Sequence, residues 1–120
     1  MTQGIRTIIY PVRDIARAKQ LYSKRLGVKP YVDEAYYVGF DVGGQEAGLD
    51  PRGHHQGMTG PVGYVQVEDI NKSLELLLTA GAEAHQAVKD VGGGKLIASV
   101  TDADGNGIGL MQSPQLHALS

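Results

Sequence analysis

The 120-residue chain has no cysteine and no tryptophan, and with a single phenylalanine its aromatic content is almost entirely six tyrosines. The absence of thiols excludes disulfide scaffolds, thiolate metal sites and cysteine nucleophiles together, so any chemistry falls to other groups. Charge of one sign is also scarce. Eleven basic against 13 acidic residues give a formal net charge of −2, which is no footprint for a polyanion, and nucleic acid is not an expected partner. No segment approaches the roughly 20 apolar residues of a membrane span, and MTQGIRTIIYPVRD has no long apolar run after a basic start. No membrane partner is therefore expected, and the protein is expected to be cytoplasmic. A chain of this length suits one domain over residues 1–120, able to bury a core without a covalent or metal staple.

What the chain does contain is a repeated order of elements. The apolar, β-branched IRTIIYPV (5–12) predicts a strand that leads into DIARAKQLYSKRLG, where Asp14 can cap a helix and Gly27 can end it. Ile15, Ala18, Leu21, Tyr22 and Leu26 recur at spacings of three and four and predict the packed face. The order returns with VGYVQV (62–67), an Asp69 cap, Ile70, Leu74, Leu77 and Leu78 at helical spacing, and Gly81 as the stop. VRDIARAKQL from Val12 lies over VEDINKSLEL from Val67 with Val, Asp and Ile in register. Three short strands follow each helix: VKPYVD, AYYVGFDV and QEAGLD, then EAHQAV, KLIASVT and GIGLM. Turns such as VGGQ, VGGGK and DADGN separate them. The expected fold class is α+β, with two tandem βαβββ modules (about 5–50 and 62–112) forming one curved mixed sheet with helices outside. The linker PRGHHQGMTGP (51–61) is expected to be a surface connection.

The opening YPVRDIARAKQLYSKRLGV, its echo YVQVEDINKSLELLLTAGA and the closing IASVTDADGNGIGLMQ resemble the vicinal oxygen chelate superfamily, which groups glyoxalases, bleomycin-resistance proteins and dioxygenases. The resemblance covers roughly residues 5–112. It implies a divalent metal held by the first and last strands of each module, and the motif positions fall on Thr7, Gly48, Val62 and Gly109. These four offer one hydroxyl and neither imidazole nor carboxylate, so no metal and no other cofactor is expected. Glu46 lies two residues from Gly48 on the same strand face, and one carboxylate makes no metal site.

With the motif positions facing inward, strand alternation adds Ile5, Ile9, Asp50, Tyr64, Gln66, Gly107 and Met111. On the third and seventh strands it favours Tyr37, Gly39 and Asp41, with Ile97, Ser99 and Thr101. The candidate ligand-binding set is Thr7, Ile9, Tyr37, Glu46, Gly48, Asp50, Tyr64, Gln66, Ser99, Gly109 and Met111, in a cup where the glycines make room and Tyr37 and Tyr64 can stack on a planar ligand. Ordinary packing is the competing account for each ring. Glu46 is the candidate catalytic group, as a general base with Asp50 as electrostatic partner, against the simpler account of an edge strand kept polar. His54 and His55 read as a solvated loop, and GGGK (92–95) as a hairpin loop, because it lacks a following helix. His85 falls in an expected strand and His117 in a polar tail, with nothing beside either that suggests a site. Three functions remain: a metal-free protein binding a small organic molecule, such as an antibiotic or metabolite; a glyoxalase-like lyase or dioxygenase with a non-standard site; and a dimeric interaction module. A homodimer is expected in each case.

Overall fold

A computed structural model describes residues 4–114. They form two compact units, one of Ile5–Gly63 and one beginning at Tyr64. In the first, β1 (Ile5–Pro11) runs into α1 (Ile15–Leu26), then β2 (Val32–Glu34), β3 (Tyr37–Val42) and β4 (Gln45–Asp50). In the second, β5 (Val62–Gln66) is followed by α2 (Ile70–Thr79), β6 (Glu83–Asp90), β7 (Leu96–Thr101) and β8 (Gly107–Gln112). Both modules are βαβββ. Their strand orders, β2-β3-β4-β1 and β5-β8-β7-β6, correspond, each with one parallel pair (β1 with β4, β5 with β8) and antiparallel pairs elsewhere.

The two helices start the same way. The Asp14 carboxylate accepts a hydrogen bond from the Arg17 N–H at 3.1 Å, and Asp69 accepts from Lys72 N–H at 3.1 Å, each satisfying one of the backbone donors left open at a helix start. They end differently. Gly27 itself takes the left-handed conformation (φ 73°) that closes α1, whereas after α2 that turn falls on Gly81 (φ 111°), one residue beyond the Ala80 cap. In module 1, Ile15, Ala18, Tyr22 and Leu26 pack with Val38, Phe40 and Leu49. In module 2, Ile70 joins Val67, Ala98 and Leu110 as core, and Leu74 and Leu77 pack against it.

Two predicted face residues are corrected: Leu21 is 64% exposed and Leu78 39%. Both lie next to a residue that does pack, Tyr22 and Leu77, and the 100° step per residue carries them to the flank of a narrow apolar stripe. The second strand is also shorter than VKPYVD. Pro30 offers no N–H to a ladder, and pairing starts only at Val32, opposite Gly39. The linker is not wholly a surface connection, since Met58 is 8% exposed and Gly53 lies so close to Pro11 that a Cβ at 53 would be 2.6 Å from the Pro11 Cβ. GGGK closes the β6–β7 hairpin, with Val91 N–H donating to the Lys95 carbonyl at 2.9 Å. No helix among the described residues is long and apolar enough to cross a membrane.

Candidate functional site

The apolar residues of β3 and β4 that meet α1 are Val38, Phe40, Ala47 and Leu49. Alternation along the strands puts Tyr37, Gly39, Asp41, Glu46, Gly48 and Asp50 on the other face. The ladder aligns them in two rows: Gly39 opposite Gly48 and Gly48 beside Ile9, then Asp41 opposite Glu46 and Glu46 beside Thr7. Six of the predicted residues, Thr7, Ile9, Tyr37, Glu46, Gly48 and Asp50, thus share one face of one module.

Glu46 is the centre of that face. One carboxylate oxygen accepts from the Tyr31 hydroxyl at 2.5 Å, and the other accepts from the Tyr37 hydroxyl. Both phenols are pushed well above the ordinary tyrosine value, first by burial and then by the Glu46 carboxylate to which they donate. The Asp41 charge adds to the effect at Tyr31, and the Asp50 charge at Tyr37. Both tyrosines therefore stay neutral donors. Asp50 turns its own Oδ1 to the Arg52 N–H at 2.8 Å, so it acts on Tyr37 through its charge.

Tyr31 was absent from the candidate set. It precedes β2, and its N–H donates to the Gly39 carbonyl at 2.9 Å, which fixes it beside that glycine. A Cβ built on Gly39 would meet Tyr37 Cε2 at 3.1 Å, Glu46 Oε2 at 3.2 Å and Tyr31 Cε1 at 3.2 Å. Three side chains from three positions along the chain converge over one glycine.

Module 2 carries Tyr64, Gln66, Ser99, Gly109 and Met111. Tyr64 pairs with Gly109, Gly109 with Ser99, and Gln66 with Met111. Ser99 is 3% exposed, and its hydroxyl lies 3.1 Å from His85 Nδ1. His85, in a strand as expected, is brought to Ser99 by a bulge. The β6–β7 register shifts between Ala84 and Gln86, and His85 is the residue in the shift, turned beside Ser99. Gln66 Oε1 accepts from the Ser113 hydroxyl at 3.2 Å. In the linker, His54 and His55 belong to a single 3₁₀ turn (His54–Gln56), and His54 Nδ1 is buried without a hydrogen-bond partner. His117 lies outside the described residues.

The glycines do not make the room expected of them. A Cβ on Gly48 would meet the phenol of Tyr37, with its Cζ at 2.7 Å, and Ile9 Cδ1 at 2.8 Å. A Cβ on Gly109 would lie 2.6–2.8 Å from Cδ2, Cγ and Cε2 of Tyr64. Each hollow left by a missing side chain is already filled by a tyrosine of the same module.

The family profile of the Glyoxalase/Bleomycin resistance protein/Dioxygenase superfamily matches residues 4–110, and the chain belongs to that superfamily. No curated protein sequence matches it. Among solved structures, a superfamily member from Vibrio splendidus 12B01 is 15% identical with a TM-score of 0.70, covering 92% of this chain and 100% of the other. A methylmalonyl-CoA epimerase from Mycobacterium tuberculosis is 16% identical with a TM-score of 0.65, covering 99% and 93%. An Mn(II)-bound glyoxalase from Novosphingobium aromaticivorans is 18% identical with a TM-score of 0.65, covering 92% of this chain and 39% of its own. At these identities the likeness shows the fold alone.

The metal implied by the superfamily does not fit the residues present. Gly48 and Gly109 have no donor, and a Cβ at either would run into a tyrosine ring or hydroxyl. Val62 is apolar, and Thr7 supplies one hydroxyl. Among the described residues no three His, Asp or Glu side chains gather as a metal site.

Proposed function

We propose that the protein binds a small organic molecule without a metal ion, on the face of the module 1 sheet that carries Glu46, and that it sequesters an antibiotic or metabolite there. The observation that supports this reading is the Glu46 carboxylate, held by two neutral phenols on a face with exposed ring surface. Tyr31 is 59% exposed, which leaves aromatic surface open beside a fixed charge. A ligand with an apolar body and a hydrogen-bonding or cationic group suits such a face, the rings contacting the body and the carboxylate orienting the polar end. Assembly as a homodimer is part of the proposal, and light scattering of the purified protein tests it. A thermal-shift screen of aromatic and cationic small molecules tests the binding. At least one compound should stabilise the wild type and lose its effect in Glu46→Gln. A folded wild type that no compound shifts would reject the reading.

A second reading, an enzyme of the same superfamily, has one observation in its favour: the Tyr37 hydroxyl donates directly to the Glu46 carboxylate, so an acid and a base stand side by side. Turnover of an acidic-carbon substrate that Glu46→Gln abolishes and Tyr37→Phe impairs would favour it over binding alone.

A further inference from the structure

Two explanations are open for a superfamily member without its metal ligands. Either the carboxylates were lost and the positions stand open, or something now holds the space they needed. The structure distinguishes them, because a glycine in open space tolerates a side chain and a glycine under a ring does not. An open glycine without a left-handed backbone occurs at Gly60, where a Cβ would meet nothing within 4 Å. Gly48 and Gly109 are the opposite case.

We infer that Tyr37 and Tyr64 close the metal-ligand positions that the superfamily resemblance puts on the last strand of each module, Gly48 and Gly109, so that metal binding is shut out in each module by a tyrosine–glycine pair and not only by missing ligands. The inference rests on the metal-free reading proposed above and supplies its structural cause. A metal-ligating side chain at 48 or 109 must begin with a Cβ whose place is set by the backbone, and both backbones are fixed in their ladders, Gly48 between Gly39 and Ile9 and Gly109 between Tyr64 and Ser99. Carbon atoms in contact need about 3.5–4.0 Å. At Gly109 the new Cβ would be 2.7 Å from Tyr64 Cγ, the root of the ring, which can retreat only by a change of χ1 in a side chain that is 6% exposed. At Gly48 the nearer obstacle is the outer end of Tyr37, which is hydrogen-bonded to Glu46, and Ile9 Cδ1 at 2.8 Å is a second. The exclusion thus rests on the root of a buried ring in module 2 and on the outer end of a ring hydrogen-bonded to Glu46 in module 1.

The experiment has two parts, so that failure of the inference and failure of the reading beneath it can be told apart. Chelator-treated wild type is titrated with MnCl₂, NiCl₂ and ZnCl₂, following heat and melting temperature. No stoichiometric binding and no stabilising shift are expected, and near-stoichiometric binding that Thr7→Ala weakens would overturn the metal-free reading itself. Melting temperatures are then compared for Gly109→Ala in the wild type and in Tyr64→Ala, and for Gly48→Ala in the wild type and in Tyr37→Ala. A drop on the order of 10 °C in the wild type, shrinking to within about 2 °C when the ring is gone, is expected at Gly109. At Gly48 the drop should be about half as large and should shrink clearly without the ring, the remainder being the contact with Ile9 Cδ1 at 2.8 Å. Equal drops with and without the tyrosine, or no drop at all, would overturn the inference and leave the metal-free reading standing. If the module 2 variants fail to fold, the half-buried Tyr37–Gly48 pair decides the question alone.

Discussion

Modules 1 and 2 have the same order of elements, the same strand arrangement and the same aspartate cap on the helix, yet their faces away from the helix have little chemistry in common. In module 1 a glutamate takes hydrogen bonds from two tyrosines, with further carboxylates near enough to be felt by both phenols. In module 2 the corresponding row holds a tyrosine over a glycine and a buried serine with one histidine contact. Even the shared motif is built differently, since the ring over Gly48 comes from β3 and the ring over Gly109 from β5. A repeated fold needs only repeated apolar spacing, caps and turns. A site needs particular groups on particular strands, and nothing in the repeat maintains those.

The comparison can be broken most severely at the rings. Tyr64→Ala removes a side chain that is 6% exposed and should cost about 4 kcal/mol of unfolding free energy, while Tyr37→Ala, which is less buried, should cost about 2 kcal/mol. Urea denaturation of the two variants measures both, and equal losses would mean that the modules hold their glycines in the same way. A step smaller, Glu46→Gln should cost about 1.5 kcal/mol through weakened charge-assisted hydrogen bonds, against about 1 kcal/mol for Ser99→Ala, which loses a neutral one. A larger loss at Ser99 would move the polar centre of the molecule to module 2. Where the modules are alike, the effects should be alike. Asp14→Ala and Asp69→Ala should each cost about 1 kcal/mol and agree to within about 0.5 kcal/mol, because both carboxylates make the same 3.1 Å cap bond.

The smallest effect is one of pH. The phenols of Tyr31 and Tyr37 are raised above the ordinary value of 10.0 by burial and by Glu46, so the folded state holds their protons more tightly than the unfolded chain does. For groups raised in this sense the stabilisation is fully present below pH 10 and is lost as pH rises toward the folded values. The urea midpoint of the wild type should therefore fall more steeply above pH 10 than that of Tyr37→Phe, while the two run parallel between pH 6 and 9. Parallel curves through pH 11 would remove Tyr37 from any special electrostatic setting.

How much of this was legible in the sequence follows from the range of the interactions. Helix caps, helix stripes and tight turns depend on residues within four positions of one another. Asp14, Gly27, Asp69 and the Gly43–Gly44 hairpin, with both φ angles positive (59° and 87°), could be read directly. Face assignment on the strands was legible once a register was adopted, and Tyr37, Glu46 and Gly48 do share a face. Tyr31 was not, because it lies outside any strand and is placed by a backbone bond to a residue eight positions on. His85 was hidden by a bulge, an irregularity that breaks the alternation used to read the strand. The filled hollows at Gly48 and Gly109 were misread as space because composition shows what a position lacks and says nothing of which neighbour leans over it.

The brief β2 has a consequence for how the protein behaves at high concentration. A bare strand at the rim of a sheet is a template on which another chain can add and grow. β2, one of two strands that end the strand order (the other is the longer β6), is three residues long, and two of its three side chains are the carboxylates Asp33 and Glu34. At this edge it offers few free backbone groups and carries charge, Asp33 meeting Lys19 Nζ at 3.1 Å, and replacing that acidic pair with valine would remove a safeguard against aggregation there.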